Sequence, residues 1–301
     1  MVIYFSYDDG NRLTDVQRDV VTITPTKTPF LSSIRKTKAY NTLHQFPQDS
    51  MSVRNDNAVI EGASFSSDTL TTPSWRVNAT QIFDKVFDLT STELWVKGAG
   101  IDNQYAYQLQ KATKEIATDI ETALLKGSFA SGTGSLARRL AGVLNWISTN
   151  LTAVASGTKL TESFFNGLSE LAWDAGGDID KCYVGSTMKR AISGFTASGT
   201  KNVDLATKAL VNTVDTYDSD FGKLEITLSR DINNAANDCS VLIIQEDLMR
   251  MAIGEEVHEL SSEEVGQTKH AKMGVIRGEL TLEVRAQAAN SLATGFWKII
   301  G

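Results

Sequence analysis

The sequence predicts an α+β fold in which one long surface helix lies against long strands. Three observations carry this. Residues 102–126 place Tyr105, Leu109, Ala112, Ile116, Ile120 and Ala123 at spacings of three and four, which puts one apolar stripe on a helix. Residues 74–92 alternate, and the C-terminal part alternates from Val275 through Val284 and again near its end, as strands do. Helices and strands follow one another without the βαβα rhythm of a doubly wound sheet, and no internal repeat is present.

In chain order, residues 1–24 alternate weakly and lead into VVTITPTKTPF. Pro25 and Pro29 push the residues before them into extended conformations, so this stretch is a turn-rich arm. FLSSIRK then gives one or two helical turns. No element here can bury a face against its sequence neighbours, so the arm is expected to pack on something else. Residues 42–57 are extended and polar. In residues 74–92, Trp75, Val77, Ala79 and Gln81 face one way, and Ile82, Asp84, Val86, Asp88 and Thr90 face the other. Long strands with mixed faces suit a two-stranded ribbon, and such a ribbon is marginal in water without a third partner. Between the strands runs AVIEGASFSSDTLTTPSWRVNATQIF, residues 58–83, too aromatic for a linker and too polar for a core.

Helix 102–126 takes Asp102 as its N-cap and Gly127 as its C′ residue, and spans about 37 Å. SFASGTGSLARRL is a loop, and GVLNWIST reads as a short apolar strand. Residues 160–176 form a second amphipathic helix stopped by Gly176 and Gly177. KCYVGS is a buried strand and TMKRAISGF a third helix. Residues 211–231 form two strands around a turn at Ser219–Gly222. CSVLIIQEDLMRMAIG is a buried strand with an apolar exit.

The chain has 301 residues, 42% hydrophobic and 22% charged, enough for one large domain or two smaller ones. Its apolar runs are too short to span a membrane. MVIYFSYDDG has neither the basic start nor the apolar stretch of a signal peptide. Two cysteines, Cys182 and Cys239, make no disulfide framework and point to synthesis in a reducing cytoplasm. A net charge of −7 argues against a dedicated nucleic-acid binder. The densest acidic run, EEVHELSSEE at 255–264, is either a solvated face or half of a charged interface with a neighbouring chain. Arg35, Lys36 and Lys38 are the basic counterpart in the second case.

Motifs of catalysis are missing. Gly98 and Gly100 fit the start of a dinucleotide fingerprint, but Asn103 stands at the third glycine. GTGS at 132–135 lacks the following GK[ST]. Ser186 and Lys189 spell SxxK without the accompanying KTG, and a helix start explains them. His44, His258 and His270 have no zinc spacing. DSDFGK is a turn and not a calcium loop. Glu115, Asp119 and Glu121 read as a solvated helix face. No catalytic, cofactor-binding or metal residue is assigned, and no cofactor is expected.

Several short stretches nevertheless line up in one order. They are Thr28–Pro29–Phe30–Leu31, Glu61–Gly62, Asn78–Ala79–Thr80–Gln81–Ile82–Phe83, Tyr107–Gln108 and Glu121. LARRLAGVLNWI at 136–147, WDAGG at 173–177, Tyr217 with SDFG, and ELTLEVR followed by AQAA complete the set. Together, over residues 25–290, they resemble the major capsid proteins of tailed bacteriophages.

The resemblance implies the Hong Kong 97-type capsid fold, with an N-terminal arm at 1–41 and an extended loop at 42–92. A peripheral domain is implied at 93–145 and 251–301, with 102–126 as its spine helix, and an axial domain at 146–250. The loop would leave its own subunit and lie across a neighbour, and the arm would reach over another. Phe65 and Trp75 would anchor that contact. Phe30, Arg35, Lys36, Glu61, Gly62, Arg76, Glu255, Glu256 and Glu259 are the other inter-subunit contact candidates, with Glu61–Gly62 as the bend.

The implied product is a shell of pentamers and hexamers, assembled in the host bacterium and found in the virion. It would enclose double-stranded DNA without binding it specifically, with a portal and possible scaffolding or cement proteins as partners and no membrane. Some 25 residues precede the TPF match, so a scaffold is expected to be separate or absent. The loop tip at 55–76 has no lysine, so no covalent crosslink is expected. An encapsulin-like bacterial compartment and, in a different class, a soluble enzyme with a mobile substrate loop are the alternatives.

Overall fold

The computed structural model describes residues 26–51, 56, 58–64, 70–96, 103–155, 158–195, 203–204, 209–210, 214–233, 238–254, 260–265 and 270–297. The first elements are α1 (Pro29–Ser33), β1 (Arg35–Ala39) and β2 (Leu43–Gln48). β3 (Ser74–Ala79), β4 (Gln81–Thr90), the short α2 (Ser91–Trp95) and the long α3 (Gln104–Lys126) follow. Next come α4 (Val143–Trp146), β5 (Leu151–Ala153), α5 (Glu162–Asp174), β6 (Lys181–Val184) and α6 (Ser186–Phe195). β7 (Val203–Asp204) and β8 (Ala209–Leu210) form a small hairpin, followed by β9 (Thr216–Ser219), β10 (Gly222–Leu228) and β11 (Asp238–Ile244). The chain ends in β12 (Met249–Gly254), β13 (Ser261–Val265), β14 (Ala271–Val284) and β15 (Ser291–Trp297).

Two sheets organise these elements. In the first, β14 is central: β4 runs antiparallel along one edge, and β12 and β13 share the other. β1 adds to β12 in parallel. The second sheet has the order β5-β15-β11-β6-β10-β9. Its strand β11 is buried on both faces, which explains the unbroken apolar run VLII. Leu242 and Ile244 point to one core with α3, while Val241 and Ile243 point to another with α5 and α6.

Helix α3 lays Ala112, Ile116, Ile120 and Leu124 against Ile276, Leu280 and Leu282 of the first sheet. Its N-cap is Asn103, whose Oδ1 accepts from Ala106 N at 3.0 Å, in place of the expected Asp102. Gly127 is the C-cap with a negative φ, not a left-handed C′ residue. Glycine is needed there for space, since a Cβ would lie 2.5 Å from both Ala123 O and Leu140 O. The segment expected as a strand at 142–149 instead makes the single helical turn α4. Asn145 is the reason: its Nδ2 donates to the carbonyls of Lys126 and Gly127 and so caps the end of α3.

The second half of the arm does not leave the subunit. Phe30 is fully buried, edge-on to Tyr183 at 5.5 Å, and β1 completes the first sheet. Burial of that ring contributes about 2–3 kcal/mol. The cause is Glu121, which is buried and not part of a solvated face. Its two carboxylate oxygens accept from Phe30 N at 3.0 Å and Leu31 N at 2.7 Å, two N–H groups that the first turn of α1 leaves free. Glu115 and Asp119 stay near solvent, where Asp119 pairs with Lys85 of β4 at 3.0 Å.

Two further boundaries differ from the expected ones. β4 pairs along its full length with β14, so the free-standing ribbon is β2 with β3 only. β15 belongs to the second sheet and not with residues 251–290, because the apolar Leu292, Ala293 and Phe296 are needed to finish its two cores.

Candidate assembly interface

The ribbon β2–β3 pairs Leu43 with Ala79, His44 with Asn78, Gln45 with Val77, Phe46 with Arg76, Pro47 with Trp75 and Gln48 with Ser74. Opposed residues share a face. One face therefore carries His44, Asn78, Phe46, Arg76, Gln48 and Ser74. The other carries Leu43, Val77, Pro47 and Trp75 with Gln45 and Ala79.

The first face is fastened to the body at its root. Asn78 is fully buried; its Nδ2 donates to Ala141 O at 3.1 Å and Leu282 O at 2.8 Å, and its Oδ1 accepts from Ala141 N at 2.8 Å. Neither a carboxylate nor a plain apolar side chain could make both kinds of bond. Thr80 Oγ1 donates to Glu279 Oε1, which also takes Arg138 Nη2 at 2.8 Å. Phe46 is buried against Trp146, ring centres 5.8 Å apart. His44 Nε2 meets Glu283 Oε1 at 2.7 Å, and Arg285 Nε donates to Glu283 Oε2 at 3.0 Å. Burial of Glu283 works against its charged form, but the bonds from His44 and Arg285 outweigh it and hold the carboxyl below its ordinary value.

The opposite face is fully buried only at its root, at Ala79. Trp75 is 63% exposed, Leu43 is 38% exposed, and Gln45 and Pro47 are exposed beside them. Beyond Trp75, every described residue of 58–64 and 70–74 is exposed, including Val59, Ile60 and Leu70. A polar cleft of about 510 Å³ lies there, between Gln48–Ser50 and Leu70–Arg76. The outward face of β4 is also open, with Ile82 and Val86 half exposed between Asp84 and Asp88. One side of the ribbon is thus seated by polar bonds, while the other leaves Leu43, Pro47 and Trp75 open.

Residues 4–296 match the family model described as SU10 major capsid protein. The chain belongs to that family. A curated major capsid protein of Escherichia phage Phieco32 is 29% identical over 126 residues, covering 42% of this chain and 36% of the relative. The match thus spans about a third of that relative's length. Among solved structures, Gordonia phage Cozz aligns with a TM-score of 0.66 at 10% identity, over 96% of this chain and 92% of the other. The capsid of the native GTA particle gives 0.66 at 13% identity, over 97% of both chains. The holo-SrpI encapsulin complex from Synechococcus elongatus gives 0.64 at 12%, over 99% and 97%. These likenesses give the chain the Hong Kong 97-type fold.

The contact candidates in this member of the family fall into four groups. Trp75, Arg76, Glu61 and Gly62 lie exposed on the ribbon or beyond it. Arg76 Nε donates to Gln48 Oε1 at 3.0 Å, and Gly62 takes φ +85° in the turn closed by Ala63 N and Ile60 O. That left-handed conformation is what glycine permits there. Arg35 and Lys36 lie on the exposed edge strand β1, where Arg35 pairs with Asp247 of its own chain at 2.7 Å. Phe30 is a correction: it fills the chain's own core and has no side-chain surface to offer a neighbour. Phe65, Glu255, Glu256 and Glu259 lie outside the described residues.

The groups singled out for chemistry take structural parts. Lys189 Nζ donates to the carbonyls of Val214 and Ile226 and pairs with Asp215, contacts that tie α6 to β10 and the segment before β9. Among the described residues, no three His, Cys, Asp or Glu converge as a metal site. No helix among them is long and apolar enough to cross a membrane. Asn78, Glu121, His44, Glu279, Glu283 and Arg138 matter most to the ribbon and arm, and none had been given these roles from sequence.

Proposed function

We propose that the chain is the major capsid subunit of a tailed phage, assembling into the icosahedral head that encloses packaged double-stranded DNA. Its role is structural and not enzymatic. The observation that carries the proposal is the ribbon's open apolar face in a member of a capsid family. The stripe Leu43–Val77–Pro47–Trp75 lies on a neighbouring subunit, and the outward face of β4, with Ile82 and Val86, is the receiving surface. The first sheet with α3 is the peripheral domain, and the second sheet is the axial domain that clusters into pentamers and hexamers. Each subunit touches several neighbours, so modest contacts multiply. A portal, and scaffolding or cement proteins where used, complete the head, which forms in the host cytoplasm and resides in the virion. The acidic net charge of −7 lets DNA be packed against the wall without sticking.

Trp75→Asp tests this. The residue is exposed in the subunit, so its melting temperature stays within a few degrees of wild type. In the shell the change removes an aromatic anchor, at a cost of about 2–4 kcal/mol per contact, and sedimentation shows subunits in place of particles. Wild-type assembly by Trp75→Asp would exclude the stripe from the interface. Assembled particles, boiled and reduced, run as single subunits on SDS electrophoresis; a ladder of multiples overturns the expectation of no covalent crosslink.

The encapsulin likeness, which covers nearly the whole chain, favours a second reading as a protein compartment. Nucleic acid inside purified particles supports the phage head, whereas a co-purifying enzyme cargo supports the compartment.

A further inference from the structure

The two strands of the ribbon are fastened by different chemistry. On β3, Asn78 is bound through an amide to backbone groups of Ala141 and Leu282, and no member of that set titrates. On β2, the polar bond is His44 to Glu283, whose side chain is 3% exposed. We propose that the ribbon root is a hinge and latch: Asn78 is the pin, and His44–Glu283 is a latch that acid opens, freeing the ribbon to pivot while the body stays folded.

The charged groups around the latch are few. His44 comes from β2, and Arg285 from the residue that directly follows β14. Arg250 stands opposite Glu283 on β12, and Arg35 lies beyond it on β1. Glu279, two turns of the pleat away on the same face of β14, is held by Thr80 and Arg138. Every partner of Glu283 is a donor, so its carboxylate form is the one that closes the latch. An imidazole Nε2–H can donate whether the ring is neutral or charged, so the carboxylate and not the histidine decides the state.

The signs separate root from body. Glu283 is held below its ordinary value, so its contribution is present above the usual glutamate range and is lost as pH falls through its folded value. Glu121 and Asp180, inside the body, are pushed up by burial, only partly offset by backbone N–H bonds. Their contributions are fully present below their unfolded values and are lost as pH rises through the raised ones. Acid therefore favours the body at these two groups while it opens the root.

The inference rests on the ribbon being an assembly arm, but its test uses the unassembled subunit and stands apart from the Trp75→Asp result. Spin labels at Gln45→Cys on the ribbon and Thr122→Cys on α3 report the distance between ribbon and body; native Cys182 and Cys239 are buried. At pH 7 a single seated distance is expected. Below about pH 4 a second distance grows, with the circular dichroism of the body unchanged. Glu283→Gln, which mimics the protonated acid, raises the open-to-seated ratio at pH 7 about tenfold or more and flattens the pH response. His44→Phe removes the latch from the ribbon side and opens it likewise. A wild-type distance that stays fixed until the whole body unfolds overturns the proposal, even where a variant fails to fold. So does a folded Glu283→Gln subunit that keeps the wild-type distance and pH response.

Discussion

A subunit lacking residues 58–74 is expected to fold, stay soluble and fail to close into shells. Every described residue in that stretch is exposed, and none of them contributes to either core. The ribbon root stays intact, because Asn78, Thr80, His44 and Phe46 all lie outside the deletion. Thermal melting should therefore change by a few degrees at most. Assembly should be lost, since Val59, Ile60 and Leu70 are large apolar groups with no use in the isolated subunit. Electron microscopy and sedimentation of the shortened chain check this. A shortened chain that unfolds would show that the stretch belongs to its own subunit's core.

The second large effect is expected at Glu121. Glu121→Ala leaves one buried and one partly buried N–H group without acceptors and opens a space beneath α1. Each orphaned group costs about 1–3 kcal/mol, and relief from burying a carboxylate offsets part of this. A net loss of about 3 kcal/mol in denaturant unfolding is expected, together with exposure of Phe30 as α1 undocks. Glu121→Gln keeps the shape and one acceptor but turns its NH₂ toward the other N–H, so it should cost less, about 1–2 kcal/mol. Burial pushes the Glu121 carboxyl up despite bonds from Leu31 and Phe30, so the wild-type fold should gain stability here as pH falls through the raised value toward the ordinary glutamate range. The alanine variant should lack that gain. An alanine variant within about 0.5 kcal/mol of wild type would mean that α1 is not held by this carboxylate.

The parts of the fold legible in sequence are those written locally. Helix α3 shows in its stripe of Ile116 and Ile120, β14 in its alternation, and the ribbon in its long polar strands. The turn at Ser219–Gly222 was equally plain. What periodicity could not show is which distant group a polar residue meets. Glu121 sits among carboxylates at ordinary helical spacing, and its partners lie about 90 residues away. Asn78 is one polar residue in a strand, and its bonds run to Ala141 and Leu282. The same limit misplaced β4: its strand character was legible, but its pairing with β14 and not with β2 depends on residues nearly 200 positions on. The α4 turn failed for a related reason, because four apolar-rich residues fit either helix or strand until Asn145 finds the end of α3. A signal for Asn78, Thr80 and Glu121 did exist, since all three fall in the stretches that resembled the capsid family, but the resemblance marked positions without giving reasons.

The most direct measurement is a cryo-electron microscopy reconstruction of the particle this chain forms. The expected map has each β2–β3 ribbon lying across an adjacent subunit, with Trp75 buried against it and Asn78 still seated on Ala141. A ribbon folded back on its own subunit, or one standing in solvent with Trp75 exposed, would contradict the central claim.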